Sequence, residues 1–195
     1  MVRKDDMERI CVKEMLLKCK MCGGDMHLEH IENMKVCTCE YCGSRITLPK
    51  LDDDVKRVRY DRGNAYRLEN NYDAARIEFN ALLDTSLDDP EIYWSILLCD
   101  FGIEYVKDPA TGKRVPTCHR TNVSSIFDNV NYKSVMKYAS GEARDLYQKE
   151  AEEIDNIQRR ILQISQSAEK YDIFICYKES DAQGNRTIDS VIAQE

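Results

Sequence analysis

The residues best equipped for chemistry are four cysteines in two copies of one pattern, Cys-x-x-Cys-Gly, at Cys19/Cys22/Gly23 and Cys39/Cys42/Gly43. Two residues between thiolates let one tight turn present both sulfurs to the same side of a tetrahedron, and the glycine lets the backbone turn past the second ligand without a Cβ clash. The interval between the pairs lies within the zinc template. The pattern predicts one zinc ion bound by Cys19, Cys22, Cys39 and Cys42. Four thiolates close the shell, so the ion is expected to be structural, with no open position for an activated water. Unligated thiols are the competing reading, disfavoured because so short a segment has few apolar residues to build a core without metal. Cys37 could replace Cys39 only by losing the Cys-x-x-Cys spacing, and is read as a bystander beside the site. His27 and His30 are read as solvent-facing residues of a hairpin.

The chemistry needs a scaffold, and the bulk properties bound it. The chain has 195 residues, nine of them cysteine, and a formal charge of -7. No apolar run approaches the roughly 20 residues that span a bilayer, and MVRKDDMERI lacks the apolar core of a secretory signal. A cytoplasmic protein with no membrane partner is expected, with reduced thiols that favour metal over disulfides. Cys11, Cys99, Cys118 and Cys176 are left as ordinary residues. The acidic balance gives no reason to seek nucleic acid or anionic lipid, and the ribbon has Tyr41 as its one obvious stacking aromatic.

Residues 1–14 read as an extension, with Met15 a candidate translation start, and residues 15–50 as the ribbon. Within it, Met26 to Leu28 and Lys35 to Cys37 are expected to form a hairpin, with Arg45 to Leu48 as a third strand. Residues 51–128 should be helical. Asp52, Asp53 and Asp54 are placed to cap a helix. Val55, Val58, Arg62 and Tyr66, then, after the Asn70-Asn71 turn, Tyr72, Ala75, Phe79 and Leu82 mark two amphipathic helices able to pack antiparallel. Asp89 and Pro90 open a third, carrying Trp94, Leu97 and Phe101. A β-hairpin near 103–117 should interrupt, turning at Asp108-Pro-Ala-Thr-Gly. Its basic residues Lys107, Lys113, Arg114, His119 and Arg120 could receive a phosphate or an acidic partner, a solvated loop being the favoured reading. Residues 129–169 read as a helical connector with a stripe of Tyr147, Ile154, Ile157, Ile161 and Ile164, which could pack on the helices or on a second copy of the chain.

Gly63, Tyr66, Tyr72, Ala75 and Phe79 stand at the small and aromatic positions of the tetratricopeptide repeat, which the first helical pair resembles. A plain helical bundle is the alternative. From 170 to 195, Tyr171-Asp-Ile-Phe-Ile-Cys-Tyr177 reads as a strand buried on both faces of a parallel sheet, followed by a polar loop and a capped helix. The segment YDIFICYKESD resembles the first motif of Toll/interleukin receptor (TIR) domains, through Phe174, Tyr177 and Asp181, with Cys176 where many members have serine. The order of ribbon, repeat-like helices and this motif resembles that of bacterial TIR-containing proteins.

The fold class expected is therefore mainly α, with a small β zinc ribbon and the start of an α/β flavodoxin-like TIR domain. The resemblance implies a domain that cleaves NAD in some members and only assembles in others. The catalytic glutamate of cleaving members lies on a later helix, past residue 195, and Glu179 and Glu195 do not match it. Tyr177, Lys178, Asp181 and Arg186 are the candidate pocket residues. Two functions are expected on this basis: a sensor or interaction front for an NAD-hydrolysing TIR protein in bacterial defence, or a non-catalytic adaptor. Protein partners through the helices and self-association fit both.

Overall fold

The structure, a computed structural model, describes residues 15–28, 34–50 and 53–166. The TIR-like segment with Tyr177, Lys178, Asp181 and Arg186, and also Cys11, His30 and Cys176, lie outside the described residues. The chain divides into two compact units, Met1–Leu162 and Gln163–Glu195.

Among the described residues there are five α-helices and three two-stranded antiparallel sheets, a mixed and mainly helical architecture. Ribbon and helices share the first unit. The ribbon consists of two hairpins: β1 (Met15–Lys18) pairs with β2 (Asp25–Leu28), and β3 (Val36–Thr38) pairs with β4 (Arg45–Thr47). This corrects the expected pairing of Met26–Leu28 with Lys35–Cys37. The reason is local: each Cys-x-x-Cys-Gly turn reverses the chain, so the strands flanking a turn pair with each other, and Met15–Lys18 becomes a strand. Alternation holds in β2, where Met26 and Leu28 are buried and His27 is exposed, as expected for that histidine.

Helix α1 (Asp54–Leu68) starts at Asp53, whose carboxylate accepts the Lys56 N–H at 2.8 Å. It ends where Asn70 takes a left-handed conformation (φ 59°) and the Asn71 N–H returns to the Tyr66 carbonyl at 2.8 Å. Asn71 then caps α2 (Tyr72–Leu83) by accepting from Ala74. The two helices pack as a pair, Gly63 lying so close to Phe79 that a Cβ would meet the ring at 2.7 Å. Ala75 and Phe79 are fully buried. The apolar stripe expected on α1 is displaced, however: Val55 and Val58 are exposed, and the buried residues are Tyr60, Gly63, Asn64 and Arg67.

Helix α3 (Pro90–Asp100), with Asp89 as cap and Pro90 in the first turn, is the centre of the body. From Glu91 to Cys99 only Tyr93 is not buried. Helix α2 packs on it from one side and α4 (Val130–Tyr138) from another, and the Trp94 ring meets Tyr147 of α5 (Gly141–Gln166) at 5.3 Å. Strands β5 (Ile103–Lys107) and β6 (Arg114–Cys118) form the expected hairpin. The connector is two helices rather than one, broken where Ala139 is extended and Gly141 has φ +56°. Of its stripe, Tyr147 and Ile154 are buried in this body, Ile157 and Ile161 are half-buried, and Ile164, in the second unit, is exposed.

Candidate metal centre

The two knuckles are built alike. In the first, the Cys19 N–H donates to the Gly24 carbonyl at 2.8 Å and the Gly23 N–H to the Cys19 carbonyl at 2.8 Å. In the second, Cys39 donates to Ser44 at 2.9 Å and Gly43 to Cys39 at 2.8 Å. Gly23 (φ +76°) and Gly43 (φ +68°) occupy the left-handed region that closes each turn. The sulfurs of Cys19, Cys22, Cys39 and Cys42 all lie within 4.8 Å of one another. Across the hairpins, Cys19 and Cys42 are 3.9 Å apart and Cys22 and Cys39 are 3.8 Å apart. A tetrahedron with zinc–sulfur bonds of about 2.3 Å has edges of about 3.8 Å. The donor set therefore fits zinc in type, number and spacing.

Without metal, burial pushes the Cys19 thiol well up, and the thiol of Cys22 is also raised by burial. At Cys42 burial acts in the same direction but is outweighed by hydrogen bonds from Ser44 and the neighbouring thiols, giving about 7. Zinc bound by Cys19, Cys22, Cys39 and Cys42 would supply a charge that holds all four as thiolates and would tie one hairpin to the other. A zinc ion held by these four sulfurs would have no position left for substrate, which is the arrangement of a structural site. Cys37 lies on β3 opposite Ile46 and outside the cluster, its thiol pushed up to about 11 by burial.

Beneath the first knuckle lies a polar cluster that the spacing of the residues did not disclose. Lys20, between the ligands Cys19 and Cys22, is 1% exposed and donates to Glu91 Oε1 at 3.0 Å and Oε2 at 3.1 Å, and to Thr47 Oγ1 at 2.7 Å. Glu91, with no exposed surface, also accepts from the Tyr60 hydroxyl at 2.9 Å, the Tyr147 hydroxyl at 2.8 Å and the Thr47 hydroxyl. Burial first, then the Glu91 charge, hold both phenols well above their usual range, so they remain donors. Arg67, fully buried on α1, donates to the Lys20 carbonyl and, at 3.1 Å, to the Ile103 carbonyl. Glu150 on α5 accepts from the Tyr105 hydroxyl at 3.3 Å, burial raising its carboxyl. The available signal was weak. A glutamate after Pro90 reads as an ordinary first-turn acid, although it opens the nearly apolar run Ile-Tyr-Trp-Ser-Ile-Leu-Leu-Cys.

Further contacts clamp the ribbon at its edges. The Lys18 N–H donates to Asp61 at 3.1 Å, Arg57 donates to the Leu16 carbonyl at 3.3 Å, and Lys35 donates to Ser140 at 2.8 Å. Arg45 pairs with Glu142. The Lys50 N–H meets Asp89, the cap of α3, at 2.6 Å.

At the β5–β6 hairpin and just after it, three of the five basic residues have local partners. His119 lies 2.8 Å from Glu104, Arg120 pairs with Asp73 at 3.0 Å, and Arg114 donates to the Tyr105 carbonyl at 2.9 Å. The Arg120 ion pair uses charge that a phosphate would need. No helix among the described residues is long and apolar enough to cross a membrane. No family model, curated protein or solved structure matches the chain.

Proposed function

We propose that the chain is the sensor and interaction front of a TIR-domain signalling protein, acting in bacterial defence, whose complete form hydrolyses NAD. The observation that carries the front-end role is the burial of Lys20, inside a zinc knuckle, against Glu91 at the centre of the helical body. A ribbon fixed in this way is part of the scaffold. The outer faces of the helices are then the surfaces left for a protein partner. The TIR assignment rests on YDIFICYKESD and on the order of the modules. Tyr177, Lys178, Asp181 and Arg186 are proposed to border the nucleotide.

The test is NAD turnover by the product of the complete reading frame, followed by chromatography of nicotinamide. Release of nicotinamide, abolished by replacing a glutamate on the later TIR helix, supports the reading. Assembly of that product without any nicotinamide release would replace it with the adaptor reading.

A further inference from the structure

The zinc centre and the helical body are joined through one residue. Lys20 is held between two ligands, so the knuckle that closes on the metal also sets where its ammonium and its carbonyl go. The ammonium meets Glu91 at 3.0 and 3.1 Å, and the carbonyl accepts from Arg67. The pocket around Glu91 is assembled from five places in the chain: Lys20 of the first knuckle, Thr47 of β4, Tyr60 of α1, Glu91 of α3 and Tyr147 of α5. Lys20 and Arg67 are the buried cations among the described residues, and Arg67 is directed at carbonyls. If Lys20 leaves, Glu91 is left with hydroxyl donors alone. The two hairpins of the ribbon share no sheet, and a lone two-stranded hairpin is marginal in water. Each hairpin is clamped to the helices at its edges, and the four-sulfur centre adds the link between the two knuckles that sets Lys20 and Thr47 on the same carboxylate.

We propose that metal occupancy latches the helical body. With zinc bound, the knuckle seats Lys20 on Glu91; with zinc removed, Lys20 withdraws and α1, α3 and α5 loosen together. The protein then carries a conformational response to zinc availability, transmitted to the helices about a buried ion pair. This rests on the zinc reading of the four sulfurs, and metal content is measured separately so that the two can fail separately.

The sole tryptophan is a built-in reporter: Trp94 is fully buried with its ring 5.3 Å from Tyr147, whose hydroxyl holds Glu91. The experiment uses the full chain, with zinc withdrawn by a competing chelator and quantified, and reads Trp94 emission and amide exchange at residues 96–99. Loss of zinc is expected to shift the emission and to speed exchange by at least about a hundredfold, reversibly on adding zinc. In the double variant Lys20→Met/Glu91→Leu, zinc should still bind, and its removal should change exchange by less than about tenfold. Wild-type protein that gives up its zinc with Trp94 and residues 96–99 unaltered overturns the latch, and this arm decides even if the variant does not fold. A folded variant that responds as strongly as wild type overturns it too. A chain that binds no zinc overturns both the latch and the metal reading.

Discussion

Replacing Glu91 with leucine removes one carboxylate and leaves its partner stranded. The Lys20 ammonium, 1% exposed, would keep the Thr47 hydroxyl at 2.7 Å as its side-chain partner, while Tyr60 and Tyr147 lose their acceptor. An uncompensated buried charge costs about 3–5 kcal/mol. Set against a total of about 5–15 kcal/mol for a domain, that is a large share. At about 2–4 °C per kcal/mol for a body of this size, the melting temperature should fall by roughly 6–20 °C. Lys20→Met should cost less, about 2–3 kcal/mol, because Glu91 retains three hydroxyl donors. The double variant removes both charges but leaves the Thr47, Tyr60 and Tyr147 hydroxyls without their acceptor, so it should lose no more than Glu91→Leu alone, well short of the sum of the single changes. Urea unfolding followed by far-ultraviolet circular dichroism, with zinc in excess, measures all three. Additive losses, or a Glu91→Leu loss below about 1 kcal/mol, would show that the charges are not coupled as the geometry requires.

Other outcomes follow from individual residues. Metal analysis of the purified chain should give one zinc; Cys37→Ser should keep it and Cys39→Ser should lose it, because only Cys39 belongs to the sulfur cluster. Burial pushes the Asp89 carboxyl from 3.8 up to about 7, against the pull of the Lys50 and Glu91 amides. Between those values the folded chain holds a proton that the unfolded chain does not, so this contribution to stability declines as pH rises through the window. Asn at position 89 can still accept at the cap but takes up no proton. The stability difference should therefore shift in favour of Asp89→Asn from pH 3.8 to about 7 and level off above. A difference independent of pH would refute the assignment. Gly63→Ala sets a methyl 2.7 Å from the Phe79 ring. Overpacking at about 1–3 kcal/mol against a helix-propensity gain of about 1 kcal/mol leaves a net loss of about 1 kcal/mol in thermal or urea unfolding; a stabilised variant would contradict the close packing of α1 on α2.

What could be read from the chain alone was what depends on neighbours in sequence. The two Cys-x-x-Cys-Gly turns, the caps at Asp53 and Asp89, the turn at Asn70-Asn71 and the hairpin around Asp108 are each determined by a few adjacent residues, through hydrogen bonds and φ preferences that require no distant partner. The cluster of Cys19, Cys22, Cys39 and Cys42 was legible for the same reason, since a ligand pair is a local turn used twice. Tertiary structure decided what is buried where polar groups meet. Val55 and Val58 carry the apolar character of α1, yet its buried face is Tyr60, Gly63, Asn64 and Arg67, because α3 offers Tyr60 a carboxylate and the ribbon and β5 offer Arg67 carbonyls to bond. Lys20 and Glu91 are 71 positions apart, each an unremarkable surface residue by composition. The fold removes both from water, where each needs the other to offset its desolvation, and no local pattern records that partnership.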